Sequence, residues 1–166
     1  MGIETETIAY VRNRADAPAY WTMGILWIML ATSEETGGSY SLIEELIPQG
    51  LAAPPHVHEE ADEMFYILEG EATFFVDSTP LKATPGSIVS IPRGTKHSFQ
   101  VDTPTARLLN TYTPAGFEYT IIALSETATE RTLPPGPVAP PDMARHAETL
   151  RRVVEEHPAA RTTNYF

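Results

Sequence analysis

Hydrophobic and polar residues alternate in short runs through the middle of the chain, and turn residues separate these runs. Alternation with a period of two is typical of half-buried β-strands, because successive side chains point to opposite faces. Several short strands with turns between them indicate an antiparallel sandwich or barrel. The predicted strands cover residues 55–58, 63–68, 71–77, 87–91, 97–101, 107–113 and 118–124.

The chain before this region contains two more predicted strands. Residues 23–31 are apolar almost throughout, which predicts a strand that is buried on both faces. Residues 34–38 indicate a turn, and residues 39–47 predict the next strand. The Leu-Ile-Glu-Glu-Leu-Ile core of that segment is also compatible with a short helix, so the pattern leaves both structures open.

A proline-rich segment, residues 133–141, follows the predicted barrel and cannot join a central strand, because proline lacks a backbone N–H. Beyond it, Asp142 is a suitable N-cap for a helix that ends near His157, before Pro158. We therefore divide the chain into an N-terminal segment, a barrel, and a connector with a C-terminal helix. These three parts cover residues 1–19, 20–125 and 126–166.

Apolar residues recur at helical spacing in this C-terminal helix and form one stripe. The stripe indicates either a helix that packs on the barrel or on a second subunit, or a lid over the barrel mouth. His146 and His157 lie on the same helix, and we expect them to face solvent rather than to bind metal. The stripe consists of Met143, Ala147, Leu150 and Val154.

Composition and charge exclude several classes of function. The 166 residues carry a formal net charge of −11, which disfavours binding to nucleic acid or to anionic membrane surfaces. There is no cysteine, so neither disulfides nor thiolate ligands can form. The N-terminus lacks the basic and apolar regions of a signal peptide, and the apolar residues 23–31 are too few to cross a bilayer. We expect a cytoplasmic protein that acts on a small molecule or a protein partner.

Three histidines and one glutamate lie at positions that suggest a metal site. His56 and His58 are two residues apart and therefore project from one face of a strand. Glu63 and His97 each open another predicted strand, and folding can bring them beside the first pair. Imidazole and carboxylate groups suit Mn, Fe, Co, Ni, Cu and Zn. A His-x-His pair alone is weak evidence, so the interpretation depends on all four residues together.

These residues resemble the two motifs of the cupin family. The first motif, G-x5-H-x-H-x4-E-x6-G, is matched at every fixed position from Gly50 to Gly70. The second, G-x5-P-x-G-x2-H-x3-N, is matched from Gly86 to His97, and Val101 stands where the family often has an asparagine that is not a metal ligand. The resemblance implies an all-β protein with a double-stranded β-helix, a jelly-roll barrel, here followed by a C-terminal α-helix.

The same resemblance implies a site and an assembly. His56, His58, Glu63 and His97 would bind one divalent transition metal, with Ni, Mn, Fe, Co, Cu and Zn all open. The alternative is a metal-free binding barrel. A homodimer is the usual assembly of the family and is therefore expected here.

Within the cupins, the chain is similar to single-domain proteins of the quercetin 2,3-dioxygenase-like group. This similarity implies an enzyme that binds the 3-hydroxyl of a flavonol at the metal while Glu63 removes its proton. Dioxygen then adds across the heterocycle, and the ring opens with loss of carbon monoxide. The segments that carry the similarity are residues 19–21, 54–58, 62–66, 113–118 and 130–134.

Two other functions are compatible with the sequence. One is a metal-dependent cyclase, isomerase or other dioxygenase that acts on a polyketide or phenolic metabolite. The other is a cupin that binds a small molecule without converting it. Inward-facing residues would either line a cavity for a flat aromatic ligand or fill the barrel core. A cavity would then have a lining of aromatic and thioether groups. The sets that share a strand face are Trp21, Met23, Ile25, Trp27 and Met29; Glu63, Phe65 and Ile67; and His97, Phe99 and Val101.

Overall fold

A computed structural model of the chain describes residues 7–136 and 143–164. Two antiparallel sheets face each other and enclose the core. The seven-stranded sheet runs through β11 (Glu126–Thr127), β1 (Ala19–Thr22), β2 (Ile25–Ala31), β3 (Ser41–Pro48), β10 (Thr105–Thr113), β5 (Asp62–Glu69) and β8 (Ile88–Ile91). The five-stranded sheet runs through β12 (Thr162–Asn164), β4 (Ala52–His58), β9 (His97–Val101), β6 (Ala72–Val76) and β7 (Thr79–Ala83). The helices are α1 (Ser33–Thr36), α2 (Phe117–Ala123) and α3 (Met143–Glu156), followed by a 3₁₀ turn at Pro158–Ala160.

The strands predicted around the two motifs are confirmed, and residues 41–48 form a strand rather than a helix. The sequence pattern missed β7. Its first four residues are exposed, so they show no alternation between buried and exposed positions. The turn expected at residues 34–38 begins instead as the single helical turn α1.

The strand predicted at residues 23–31 is buried, as expected, but the observed strand β2 begins at Ile25 rather than at residue 23. Met23 and Gly24 both have positive φ, 54° and 78°, and they form a two-residue hairpin turn between β1 and β2. Because of this reversal, Trp21 pairs with Leu26 and packs in a second cluster outside the barrel. Trp27 faces the interior. The prediction that Trp21 and Trp27 share one face is therefore wrong.

The strand predicted at residues 118–124 is also wrong, because this segment is helix α2. Phe117, Thr120 and Leu124 fall three and four residues apart, and all three line one cavity. Gly116 precedes the helix with φ of 145°, a conformation that ends the extended chain. The buried carboxylate of Glu118 accepts hydrogen bonds from the backbone N–H of Gly116 at 2.7 Å and of Ser33 at 2.8 Å. A short apolar run cannot by itself distinguish helix from strand.

Helix α3 ends before Pro158, as predicted, whereas the expected N-cap at Asp142 lies outside the described residues. The buried face differs from the predicted stripe. Val153 is buried, Leu150 and Val154 line a cavity, and Ala147 is exposed. The helix therefore packs on α2 and on the 3₁₀ turn at Pro158–Ala160, and it also forms part of the cavity wall.

The interior of the barrel is packed with aromatic rings at one end. Phe65, Phe74 and Phe99 contact one another with ring centroids 4.9 to 5.7 Å apart.

Strand β11 pairs with β1 in the seven-stranded sheet, and β12 pairs with β4 in the five-stranded sheet. The division of the chain into three parts stays a prediction. Within residues 7–136 and 143–164, no helix has the length and apolar character needed to cross a membrane.

Candidate metal centre

The structure brings the four predicted residues into one cluster. His56 and His58 project from β4, and His97 opens β9 as the direct pairing partner of His56. Glu63 reaches the cluster from β5 in the opposite sheet. One potential ligand atom from each residue lies within 4.8 Å of those of the other three. The strand positions that the sequence indicated are thus correct for all four side chains.

The Nδ1 atom of each imidazole contacts an oxygen atom of a residue outside the cluster. A backbone carbonyl can only accept a hydrogen bond, so Nδ1 carries the hydrogen in His56 and His97. In their neutral forms, the unprotonated Nε2 atoms can serve as ligands. An outer contact of this kind orients a metal-binding histidine. The three contacts are His56 Nδ1 with Pro54 O at 2.7 Å, His97 Nδ1 with Thr95 O at 3.0 Å, and His58 Nδ1 with Thr162 Oγ1 at 3.1 Å.

Glu63 is buried and ionised. Its Oε2 lies 2.8 Å from His97 Nε2 and 3.4 Å from His58 Nε2. Burial alone would raise the pKa of Glu63, but the interactions with His58 and His97 outweigh burial and hold the pKa well below its usual range. Glu63 therefore supplies a carboxylate group to the cluster at neutral pH.

The remaining electrostatics fit a divalent cation. Burial and the neighbouring His97 lower the pKa of His56 to about 4, so this imidazole is neutral at pH 7. Burial opposes protonation of His97, but Glu63 outweighs it and raises the pKa of His97. The Nε2 atom of His58 is buried and has no hydrogen-bond partner in the part of the chain that the structure describes. Three imidazoles and one carboxylate around an unpartnered nitrogen suit one transition-metal ion.

An ion pair that the sequence reasoning missed ties the two motifs together. Arg93, in the turn before β9, donates from Nε and Nη2 to the carboxylate of Asp62 at 3.1 and 2.9 Å. The backbone N–H of Arg93 donates to the same carboxylate at 2.9 Å. These hydrogen bonds lower the pKa of Asp62 to about 2. Since Asp62 directly precedes Glu63, the contact fixes the start of β5 relative to the loop that carries His97.

A second missed feature is a buried polar network behind Glu63. Asn110 Nδ2 lies 2.8 Å from Glu45 Oε1, 3.0 Å from Glu63 Oε1 and 3.0 Å from the Tyr112 hydroxyl. All four residues are buried. A signal was present in the sequence, because Glu45 and Asn110 occupy inward-facing positions between apolar ones on their strands.

A cavity of about 370 Å³ opens beside the cluster, and His56 and Glu63 form part of its wall. This volume is in the range of small-ligand sites. The expected aromatic and thioether lining is confirmed in part. The cavity is lined by Met23, Ile25, Trp27 and Phe99, whereas Met29, Phe65, Ile67 and Val101 belong to the packed core.

Helix α3 and helix α2 cover the cavity together. His146 and Leu150 line it from α3, and Phe117 lines it from α2. The ring of His157 stacks on Tyr119 with centroids 3.5 Å apart. Both histidines are half-buried, so the prediction that they face solvent is wrong. Neither belongs to the cluster of potential ligands.

Comparison with known proteins places this fold and site in a family. The sequence profile of the Cupin domain matches residues 42–112, which include all four residues of the cluster. The chain is a cupin-domain protein. Its two antiparallel sheets and C-terminal helix form the mostly β cupin fold, as the motifs implied.

Two curated relatives of this cupin are quercetin 2,3-dioxygenases. The protein from Bacillus subtilis is 27% identical over 111 residues, which cover 67% of this chain and 33% of the relative. The protein from Aspergillus japonicus is 26% identical over 132 residues, which cover 75% of this chain and 38% of the relative. The chain is thus a distant homologue that spans little more than a third of their lengths.

Solved structures agree on the fold. The polyketide cyclase RemF from Streptomyces resistomycificus superimposes with a TM-score of 0.56 at 24% identity. The match covers 64% of this cupin and 80% of RemF. It shows the shared barrel architecture, on which cupin sites of different chemistry are built.

Proposed function

We propose that this cupin is a metal-dependent dioxygenase that cleaves a flavonol such as quercetin by 2,3-dioxygenation with release of carbon monoxide. The observation that carries the proposal is the convergence of four potential ligand atoms beside a largely apolar cavity that His56 and Glu63 line. The distant homology to two quercetin 2,3-dioxygenases supports the choice of substrate.

Four side chains, those of His56, His58, Glu63 and His97, would hold one divalent transition metal. When bound, such an ion supplies a Lewis acid that lowers the pKa of a coordinated hydroxyl. The outer contacts of the imidazoles keep their Nε2 atoms directed at the ion. The packed strands below the site hold these side chains in a fixed geometry.

Glu63 is the proposed base. Asn110 donates to its Oε1 at 3.0 Å, which leaves Oε2 as the oxygen directed at the cluster. When its contact with the metal loosens, Oε2 would accept the proton of the substrate hydroxyl, and the resulting electron-rich ring would react with dioxygen. Both oxygen atoms enter the opened product, and one carbon leaves as carbon monoxide. Proton removal by a positioned carboxylate typically contributes about 10²–10⁴-fold in rate.

The cavity wall binds and shields the ring. Trp27, Phe117 and Leu150 supply apolar surface to the cavity beside the cluster. A flat aromatic substrate is stabilised there by burial of its surface, while water is excluded from the reacting atoms.

The decisive experiment is turnover of quercetin by protein loaded separately with Ni, Mn, Fe, Co, Cu and Zn. We expect loss of the flavonol absorbance together with carbon monoxide release for at least one ion, in air and not under argon. Conversion that persists without oxygen would instead indicate a cyclase or isomerase. Binding without conversion by any metal form would indicate a non-enzymatic cupin, and either result would overturn the proposal.

The role of Glu63 has its own test. Glu63→Gln keeps an oxygen ligand but removes the base, so we expect much of the metal to remain while turnover falls by about 100-fold or more. Metal content is measured on the same samples as kcat. Unchanged turnover would remove Glu63 from the base role without affecting the assignment of the three histidines.

A further inference from the structure

Glu45 is a buried carboxyl group that the proposed reaction does not use. It lies on β3, with 1% of its surface exposed, and it forms part of the cavity wall. Its neighbour Glu44 is equally buried but faces the other side of the strand, where Arg14 donates to both of its oxygens at 2.8 and 3.1 Å. Within the described residues, Glu45 thus has no ion pair of the kind that Glu44 forms with Arg14.

The hydrogen bonding of Glu45 is incomplete. In the described part of the chain, its only hydrogen bond comes from Asn110 Nδ2 to Oε1 at 2.8 Å, and Oε2 has none. The amide of Asn110 has two hydrogens but lies within 3.0 Å of three oxygens, those of Glu45, Glu63 and Tyr112. Among the described residues, no donor pairs with Oε2 of Glu45, and Glu45 lines the cavity, so a ligand bound there can contact this carboxyl group.

The protonation of Glu45 suits a neutral ligand. Burial raises its pKa to about 8, which outweighs the opposing hydrogen bond from Asn110, and the charge of Glu63 adds to the increase. A protonated carboxyl group both donates and accepts hydrogen bonds, as a hydroxyl group also does. A phenolic hydroxyl is thus a matching partner.

We propose that Glu45 binds the substrate through its unpaired oxygen, and that the substrate is a polyphenol whose second hydroxyl contacts Glu45 while its first lies at the metal cluster. Glu45 and Glu63 lie 2.8 and 3.0 Å from the same amide nitrogen, so one small ring system can contact both. This inference rests on the proposed function for the place of the first hydroxyl. It adds a second contact that selects among ligands and orients them.

The test compares ligands that differ in their additional hydroxyls. Quercetin and 3-hydroxyflavone share the flavonol hydroxyl, but only quercetin carries others. Their dissociation constants are measured by anaerobic titration of Zn-loaded protein, so that no turnover interferes. We expect Glu45→Leu to weaken quercetin binding about tenfold, as for one lost hydrogen bond in a buried site, and to change 3-hydroxyflavone binding less than about twofold.

Two variants control for damage to the strand. Glu45→Gln keeps one donor and one acceptor, and we expect it to retain part of the selectivity for quercetin. Glu44→Gln alters the adjacent residue on the opposite face, so it should leave both dissociation constants unchanged. Zinc content is measured for every variant. Equal weakening of both flavonols in Glu45→Leu, or no weakening of either, overturns the inference and leaves the proposed function standing.

A second ligand pair separates this inference from the flavonol proposal. 1,3-Dihydroxynaphthalene and 1-naphthol are titrated in the same way. If the flavonols do not bind but Glu45→Leu selectively weakens the dihydroxy ligand, the flavonol proposal fails and the role of Glu45 is supported. If neither the flavonols nor the naphthols bind to the Zn-loaded protein, the assignment of a polyphenol to this cavity is overturned as well.

Discussion

The two ends of the barrel interior use the same strands for different purposes. On β5, Glu63 belongs to the metal cluster, and the next inward residue, Phe65, belongs to the packed aromatic end. On β9, His97 and Phe99 show the same succession. The polar end contains unpartnered atoms and a cavity, whereas the aromatic end is filled. We infer from this difference that packing at the aromatic end holds the strands in place. The polar end can then keep buried polar atoms without hydrogen-bond partners, although this lowers stability.

The largest expected effect comes from removing one potential ligand at the polar end. His58→Ala should abolish most metal binding and activity while the barrel stays folded, because the aromatic end is untouched. Metal content after dialysis and a urea unfolding curve check this. The matched control is His146→Ala, which alters the same cavity outside the cluster and should keep its metal. Full metal content in His58→Ala would contradict the assignment of His58 as a ligand.

The opposite result is expected at the aromatic end. Phe74 is fully buried between Phe65 and Phe99, so Phe74→Ala should lower the free energy of unfolding by about 3–5 kcal/mol. Metal bound per folded molecule should not change. Tyr66 is 42% exposed on β5, in the opposite sheet, and Tyr66→Ala should cost about 1 kcal/mol or less. Equal losses in the two variants, measured by urea unfolding, would argue against the packed-end interpretation.

A pH dependence should distinguish Glu45 from an ordinary carboxylate. The pKa of Glu45 is 4.5 ordinarily and about 8 in the folded protein, so the folded state binds this proton more tightly than the unfolded chain. Glu45 therefore costs stability as the pH rises from 4.5 to 8, and Glu45→Gln does not.

Between pH 5 and pH 8, the free energy of unfolding of Glu45→Gln should therefore rise, relative to that of the unchanged protein, by at most about 3 kcal/mol. Urea unfolding of both proteins at each pH, under the same metal conditions, measures it. A difference that stays constant with pH would show that Glu45 is ionised in the folded protein.

The smallest effect is expected where the last strand contacts the site. Thr162 Oγ1 lies 3.1 Å from His58 Nδ1, and Thr162→Val removes this contact without changing the size of the side chain. Metal affinity should fall about tenfold, the low end for loss of a residue that orients a ligand. Thr162→Ser should retain the affinity of the unchanged protein. An equal affinity in all three proteins, determined by competition with a chelator, would remove Thr162 from the site.

Local patterns indicated which four side chains would meet in the candidate site. His56 and His58 share a face because strand side chains alternate, and this holds wherever the strand lies. The same alternation failed for residues 117–123, where three- and four-residue spacing coexists with an apolar run, and for β7, which has no buried face until its end. The hairpin at Met23 and Gly24 was missed because the apolar residues continue on both sides of it.

The sequence by itself determined that four side chains with the chemistry of a metal site lie at matching positions on their strands. The tertiary structure alone decided what surrounds them. Asn110 meets Glu45 across 65 residues of chain, and Thr162 meets His58 across 104. Such contacts depend on which strands become neighbours, and this is set by the packing of both sheets together. Whether an inward position becomes core or cavity likewise depends on what the opposite sheet and helices place against it.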